Sequence, residues 1–263
     1  MIKESDLFQH FSSDEREFAE KIIEMCHQVE DTYSYRLTYF LNPRQEIIVK
    51  QIANYFKLQV FSTVKVAQFE YSRVIIAPPY YELDYQNFDM MGLEISYPIK
   101  FHNLTHSQVL GSFLNQLGIK REYLGDILLN DGRIVVLIDQ KFGKLAIQSI
   151  NKISKVPVKI SQIDWTSIQI EVNNDFKSKE VQVSNLRLDK IVAVAFNLSR
   201  TSATKLIESS QVKLDYVTIG QTSKIVELGQ LISVRKFGRI HVREFLGFSK
   251  QGKVKLKLEI IKT

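Results

Sequence analysis

The sequence is poor in cysteine, tryptophan, proline and glycine, with one, one, five and eleven of them among 263 residues. A lone Cys26 cannot form an internal disulfide or a cysteine-based zinc site, which excludes a disulfide-stabilised scaffold and predicts an intracellular protein. The low glycine and proline content excludes collagen-like and low-complexity chains. No apolar run reaches the roughly 20 residues of a membrane helix, and residues 1–12 lack the features of a signal peptide. We therefore expect a cytoplasmic protein without membrane insertion.

Recognisable catalytic motifs are absent as well. The sequence contains neither G-x-G-x-x-G nor G-x-x-x-x-G-K-[ST], the loops that hold phosphates, and no G-x-S-x-G nucleophile elbow. Of the five histidines only His102 and His106 lie close together, without the glutamate of an H-E-x-x-H site. Cys26 falls on the apolar side of a predicted helix, where packing is favoured over nucleophilic chemistry. We therefore predict no enzymatic activity, no cofactor and no metal site.

What the sequence does contain is an uneven distribution of charge. It has 35 Lys and Arg against 29 Asp and Glu, a net charge of +6. Residues 186–263 hold 15 Lys and Arg against 6 Asp and Glu, a net of +9, which leaves −3 for residues 1–185. A basic module at one end of a neutral or acidic body is typical of nucleic-acid-binding proteins. The alternative is a basic face that only keeps the protein soluble.

The N-terminal third, residues 1–80, is predicted as a helical domain with short strands. Ser12 and Glu15 have capping-box spacing before a helix over 13–30. A second helix starts where Asn42 can cap it and Pro43 can take its first position. The acidic residues of the first helix indicate a solvated face or, as the alternative, a contact for a protein partner.

Residues 81–164 alternate between strand and helix patterns in the order β-α-β-β-α-β, which is that of a ferredoxin-like domain. Strands are predicted at 93–97, 126–129, 133–138 and 156–163, and helices between Thr105 and Gly118 and over about 143–152. RNA-recognition motifs share this order, but the third strand offers no aromatic residue on which a base could stack. A packing or protein-contact role is therefore expected here.

Residues 165–185 are predicted to form a bridging hairpin. The segments 168–172 and 181–183 alternate loosely around a polar turn at 173–175, and Trp165 is predicted to be a packing anchor.

The basic module, residues 186–263, is predicted to fold into two short helices and a small sheet. One helix follows Arg187, and Ser199 can cap a second over 200–208. Strands are predicted at 212–214 and 231–235, and Asp189 is expected to be structural, paired with Arg187 or capping a helix. The cations and hydroxyls of the module are predicted to contact RNA: Arg187, Lys190, Ser199, Arg200, Thr201, Ser202, Lys205, Lys213, Arg235, Lys236, Arg239 and Arg243.

The tail of the module alternates lysine with apolar residues. Lys253, Lys255 and Lys257 are interleaved with Val254 and the leucines that follow it, so a strand would put the cations on one face. The alternative is a charged edge strand that prevents aggregation.

The module resembles the S4 RNA-binding domain. The matching segments are R-L-D at 187–189, S-R-x-x-A at 199–203, V-K-L-D at 212–215 and G-x-x-I-S-V-R at 229–235. Ser210 stands where that pattern often has glycine, and Gln230 where it often has aspartate.

The whole chain resembles the YlmH-like family of bacterial proteins. The resemblance rests on N-P-R at 42–44, the ferredoxin-like middle and S-V-R-x-F-G-R at 233–239. It implies binding of rRNA or tRNA on the large ribosomal subunit, with a part in rescuing stalled subunits that carry peptidyl-tRNA, and a link to cell division. Two alternatives stay open: an RNA-modifying enzyme targeted by its S4 domain, and a division-linked adaptor that binds protein through the acidic first helix.

Overall fold

The structure, a computed structural model, describes residues 11, 13–65, 69–130, 132–168 and 176–262. The chain divides into two compact units, Met1–Asn173 and Asn174–Thr263. Both units combine helices with strands, so the predicted α+β class is confirmed. Among the helices within the described ranges, none has the length and apolar character that a membrane span requires.

The first unit runs from a helical pair with a small sheet into a larger sheet. Its described helices are α1 (Ser13–Thr32), α2 (Pro43–Tyr55), α3 (His106–Leu117) and α4 (Gln140–Ser149). Its described strands are β1 (Arg36–Leu37), β2 (Gln59–Ser62), β3 (Val74–Ala77), β4 (Met90–Ser96), β5 (Leu124–Asn130), β6 (Arg133–Asp139), β7 (Lys152–Ile153), β8 (Val156–Pro157) and β9 (Lys159–Ile163). The helices predicted in the N-terminal third are confirmed, whereas the predicted cap Ser12 lies outside the described residues.

Helices α1 and α2 share one apolar core with the antiparallel sheet β1-β3-β2. The Asn42 side chain accepts the N–H of Gln45, and the Gln45 side chain accepts the N–H of Asn42, each at 3.0 Å. This capping box fixes the start of α2. Arg44 then reaches back to α1, where its Nε lies 2.7 Å from Oε1 of Glu15. Cys26 is fully buried in this core, as predicted.

Strands β5, β6, β4 and β9 form an antiparallel sheet in that order. Along the chain its elements follow as β4-α3-β5-β6-α4-β9, the order that the sequence predicts. Thr105 caps α3 by accepting the N–H of Gln108, and Gly118 ends the helix with a φ of +63°. Both helices cover one face of the sheet, where Phe113 and Ala146 pack among the strand residues.

The other face of this sheet is covered by the N-terminal third of the chain. Val135 and Leu137 of β6 pack with Phe40 and Ile75 in a second core. The approach is so close that a Cβ on Gly125 would lie 2.6 Å from the Phe40 ring, so only glycine fits at that position. Because both faces are buried, neither is available for stacking RNA bases.

The end of the larger sheet differs from the prediction. Helix α4 starts at Gln140, earlier than predicted, because the Asp139 side chain accepts the N–H of Lys141 at 3.1 Å and caps it. The single strand predicted over 156–163 is wrong: β8 turns back on β7, and only β9 joins the sheet. Ser154 makes that turn with a φ of +55°, a left-handed conformation that a serine does not signal in the sequence.

A buried ion pair links the two parts of the first unit. Nη2 of Arg73 lies 3.2 Å from Oδ2 of Asp139, and the two side chains are only 5% and 9% exposed. The guanidinium also donates to the backbone carbonyls of Thr38 at 3.0 Å and Asp89 at 2.8 Å. The charge is therefore buried with partners on several sides.

Asp126 of β5 is a second buried polar link. Its carboxylate accepts the backbone N–H groups of Glu70 at 2.6 Å and Tyr71 at 2.9 Å, which ties the strand to the loop after β2. Burial raises the pKa of Asp126 to about 6, because it outweighs these two hydrogen bonds, which act in the opposite direction.

The second unit is an antiparallel sheet with helices α5 (Leu188–Phe196) and α6 (Arg200–Glu208) packed on one face. The strand order is β10-β15-β14-β13-β11-β12. The strands are β10 (Lys177–Val183), β11 (Val212–Leu214), β12 (Val217–Thr218), β13 (Leu231–Val234), β14 (Gly238–Phe248) and β15 (Val254–Lys262). The helices and short strands predicted for the basic module are thus present.

Strand β15 lies inside this sheet, between β10 and β14. Leu256 and Leu258 are buried against the helices, and Lys255 and Lys257 occupy the opposite face, so the predicted alternation is confirmed. The alternative of a charged edge strand is wrong, because β15 is hydrogen-bonded to a neighbour on each side.

Residues 177–183 form β10 and pair with β15, so they belong to the sheet of the second unit. The turn predicted at 173–175, which would have closed a bridging hairpin, lies outside the described residues. From β10, Nζ of Lys179 donates to the carbonyl of Val194 at 2.7 Å and to Oδ1 of Asn197 at 2.8 Å. Lys179 thereby caps the C-terminal end of α5, where a cation is favoured by the helix dipole.

Candidate nucleic-acid interface

The amino-terminal end of helix α6 is exposed and rich in hydroxyl groups. Oγ of Ser199 accepts the N–H of Ser202 at 3.0 Å, so the predicted cap is confirmed. Arg200 and Thr201 are exposed on the first turn of the helix, and Lys205 is exposed about one turn further on. The first N–H groups of a helix have no partner within it and carry the positive end of its dipole. This end of α6 can therefore receive a phosphate group.

A buried carboxylate joins this helix end to the start of α5. Asp189 is 1% exposed, and its Oδ1 and Oδ2 accept from Nε and Nη2 of Arg187 at 3.0 and 3.1 Å. Its Oδ2 also accepts from Nε of Arg200 at 2.9 Å. Burial alone would raise the pKa of Asp189, but the hydrogen bonds from the two arginines outweigh it and hold that pKa below its ordinary value. The predicted structural role of Asp189 is confirmed, and Asp189 has two arginine partners.

The two arginines differ in how accessible they are. The Arg187 side chain is 28% exposed and two of its nitrogens bind Asp189, so it mainly fixes the geometry. The Arg200 side chain is 60% exposed and contacts the same carboxylate through Nε. Its guanidinium is therefore held in place while remaining open to an anion from solvent.

The remaining predicted contacts do not all lie on the helix side of the sheet. In the register across β11, β13 and β14, Lys213 stands opposite Ser233, and Ser233 stands opposite Arg239. Their strand neighbours Val212 and Ile232 are buried against the helices, so this row faces away from α5 and α6. The sequence prediction grouped these cations as one surface, whereas the fold divides them between two faces.

Other predicted contacts are spread over the rest of the unit. Nζ of Lys190 donates to Oγ of Ser184 at 2.5 Å. Arg235 and Lys236 are exposed in the tight turn between β13 and β14, where Lys236 adopts a φ of +66°. Arg243 of β14 pairs with Glu259 of β15, with Nε and Oε2 2.6 Å apart.

The two departures from the S4 pattern are accommodated locally. Ser210 takes the left-handed conformation that glycine would favour, with a φ of +58°. The Gln230 amide donates to Oδ2 of Asp215 at 2.8 Å, while Oδ1 of Asp215 accepts the N–H of Leu231 at 2.8 Å. The turn after β11 is thus tied to the start of β13 with glutamine in place of aspartate.

The hairpin of β14 and β15 carries an aromatic pair that sequence reasoning missed. The side chains of Phe245 and Phe248 are 44% and 66% exposed, and their rings lie 5.2 Å apart at 75°. The signal available in the sequence is F-L-G-F at 245–248, followed by lysines at 250 and 253. Aromatic residues interleaved with cations are typical of single-stranded nucleic-acid sites.

The described part of the chain brings together no group of three or more His, Cys, Asp or Glu side chains that could hold a metal ion. Burial raises the pKa of Cys26 to about 12, so its thiol stays protonated at neutral pH.

The chain is similar to a solved structure described as "Cell division protein ylmH from Streptococcus pneumoniae". The two are 38% identical, the match covers 60% of this chain and 95% of the other, and the TM-score is 0.54. The chain belongs to the YlmH family. The resemblance found in the sequence is therefore confirmed.

Two YlmH family models match the first unit. The model "YlmH, N-terminal" matches residues 14–81, and the model "Putative RNA-binding domain in YlmH" matches residues 84–167. A curated relative, "Ribosome-associated protein quality control protein P2" of Bacillus subtilis (strain 168), is 27% identical over 255 residues, which are 97% of this chain and 98% of the relative.

The family model "Putative RNA-binding domain in YlmH" matches the region in which the sequence predicted a packing or protein-contact role. Residues 84–167 carry 9 Lys and Arg against 8 Asp and Glu, far from the excess in residues 186–263. Outside the covered sheet faces, this region offers Lys141, whose Nζ lies 4.0 Å from the Tyr123 ring and 4.8 Å from the Phe142 ring. An RNA contact in this region would therefore use its edges and helices.

Proposed function

We propose that this YlmH-family chain is a non-enzymatic RNA-binding protein that docks structured rRNA or tRNA through its basic C-terminal unit. We assign that unit to the S4 fold and the β4–β9 region to the ferredoxin-like fold. The observation that carries the proposal is the exposed, Ser199-capped end of α6, with Arg200 held against Asp189 and Lys205 one turn further on. Cations and free N–H groups at such an end bind phosphates.

Charge and similarity support the same assignment. The net charge of +9 on residues 186–263 favours association with a polyanion and predicts affinity that falls steeply with salt. The similarity to a protein named for ribosome-associated quality control supports action on the ribosome. We infer the large subunit, in a stalled state that carries peptidyl-tRNA, as the place of action.

The test is co-sedimentation of the full chain with large ribosomal subunits at low and moderate salt. The test variant carries Thr201→Glu and Lys205→Glu, which reverse the charge of the α6 surface while leaving the contacts of Asp189 intact. Position 201 is in the first turn, where a carboxylate is favoured, and glutamate is a good helix former at position 205, so α6 itself is expected to persist. The matched control carries Lys57→Glu and Lys65→Glu, two exposed lysines of the first unit.

We expect the test variant to lose sedimentation with the subunits and the control to keep it. Equal binding of both variants would refute the assignment of the interface to α6. If neither variant nor the parent chain sedimented at low salt, ribosome binding itself would be refuted.

A second candidate is an adaptor that binds protein through α1. The name of the Streptococcus pneumoniae relative mentions cell division, and α1 exposes acidic residues that include Glu20 and Glu24. Reversing both to lysine would abolish capture of a basic protein partner in a pull-down while leaving RNA binding intact. Unchanged capture would remove this candidate.

A further inference from the structure

The tip of the β14–β15 hairpin displays aromatic side chains that the core of the second unit leaves exposed. Phe245 stands opposite Leu256 and Phe248 opposite Val254, on the face that carries the core of the second unit. Leu256 is fully buried, yet Phe245 is 44% and Phe248 66% exposed. The core that buries Leu256 therefore leaves the aromatic pair largely uncovered.

This tip is held in a defined shape. Strand β14 has register irregularities between Val242 and Glu244 and between Phe245 and Gly247, which change the direction of the side chains locally. The turn closes on Ser249, whose N–H donates to the carbonyl of Lys253 at 2.8 Å and whose Oγ accepts the N–H of Lys253 at 3.1 Å. The aromatic rings are thus presented from an ordered hairpin.

The charge around the pair identifies the chemistry of its partner. Residues 243–257 contain 5 Lys and Arg and a single acid, Glu244. Lys250 and Lys253 are exposed in the turn directly after Phe248. Exposed aromatic rings beside cations suit a ligand with flat apolar faces and a negative backbone, which describes unpaired nucleotides. A duplex hides those faces, and an apolar protein surface leaves the cations without partners.

We propose that Phe245 and Phe248 stack on unpaired bases of an RNA whose phosphates are met by Lys250 and Lys253. The proposal rests on RNA binding by the second unit and adds single-stranded nucleotides to what that unit recognises. The α6 surface would dock the structured part of the RNA, and the hairpin tip would engage a strand that leaves it.

The experiment measures binding of the full chain to an RNA stem-loop with and without a single-stranded uridine tail, at one fixed salt concentration. The affinity gained from the tail isolates the contribution of unpaired bases. Phe248→Leu keeps apolar bulk but removes the aromatic face, whereas Phe248→Trp enlarges that face. Tyr33→Ala removes a 72% exposed aromatic residue of the first unit and is the matched control.

We expect the parent chain, Phe248→Trp and Tyr33→Ala to bind the tailed RNA more tightly than the bare stem-loop. In Phe248→Leu that gain should shrink by about 5- to 160-fold, the range that base–aromatic stacking spans per base. Lys250→Ala with Lys253→Ala should reduce the affinity gained from the tail at that salt concentration, because cations that meet its phosphates are lost.

Two results would overturn the proposal. An unchanged gain in Phe248→Leu would mean that the tip provides only apolar area, as a protein-binding surface would. A parent chain that binds the stem-loop with no gain from the tail would remove this inference while leaving the α6 interface intact. If the parent chain bound neither RNA, the proposed function would fail along with it.

Discussion

Replacing Arg73 by methionine should lower the unfolding free energy of the first unit more than replacing an arginine whose ion pair is exposed. The change removes the partner of Asp139, which is 9% exposed in its side chain, and the donor to the carbonyls of Thr38 and Asp89. Methionine retains an apolar stem of similar length, so the loss concerns charge and hydrogen bonds rather than volume. Removing one partner of a buried ion pair costs about 3–5 kcal/mol of unfolding free energy.

Arg133→Met is the matched control. Nε of Arg133 lies 2.6 Å from Oε1 of Glu94, a shorter contact, but the two side chains are 48% and 31% exposed. A solvent-exposed pair contributes less than about 1 kcal/mol because water screens it and competes for it. Comparing the two variants therefore tests whether burial or a short distance determines how much an ion pair contributes to the unfolding free energy.

Urea unfolding followed by the fluorescence of Trp165 is the assay. Trp165 is the single tryptophan, is 7% exposed and packs against Phe88 with ring centres 6.0 Å apart, as expected of a packing anchor, so its signal reports on the first unit. Arg73→Met should lower the unfolding midpoint well below that of Arg133→Met. Adding Asp139→Asn to Arg73→Met should cost less than the two single losses together. If the two methionine variants unfolded at the same midpoint, the reasoning from burial would be refuted.

Three further predictions concern single side chains. Burial raises the pKa of Asp126 from 3.8 to about 6, so between these pH values the folded state binds more protons than the unfolded state. The contribution of this group therefore lowers the unfolding free energy as the pH rises from about 3.8 to about 6, by up to about 3 kcal/mol. Tryptophan-monitored urea unfolding at about pH 4.5 and about pH 7 should show most of this fall in the parent chain relative to Asp126→Asn, and parallel profiles would contradict it. The Cys26 thiol, whose pKa burial raises to about 12, should react with a disulfide reagent only as fast as the protein opens, and rapid reaction of the native chain would count against its burial. Lys179→Met should cost about 1 kcal/mol at the end of α5, seen as faster amide hydrogen exchange over 188–196, while Lys177→Met on the same strand should leave that exchange unchanged.

Local signals allowed the helices to be predicted from the sequence. Asn42 and Ser199 cap their helices as expected, and Thr105 caps the helix that it was predicted to precede, because capping depends on residues within one turn. The hairpin of β7 and β8 was missed because Ser154 makes its turn in a conformation that sequence usually assigns to glycine.

Non-local pairing could not be predicted in the same way. The lysine alternation of β15 was visible, but its place between β10 and β14 depends on partners far away in the sequence. The same limit applies to the candidate interface. The charge of Lys213 and Arg239 was evident, whereas the face on which they lie follows from the register of β11, β13 and β14.

The pairing of β10 with β15 also has a consequence for the order in which the second unit assembles. Among the described strands of this unit, β10 is first in the sequence and β15 is last, yet the two are hydrogen-bonded neighbours. Helices α5 and α6 are built from local contacts and can form early. Strand β10 can pair with β15 only after the long segment of chain between them has folded back and brought the two strands together. We therefore expect slow, late-forming protection of β10 in refolding, with the Lys179 cap of α5 made at the same step.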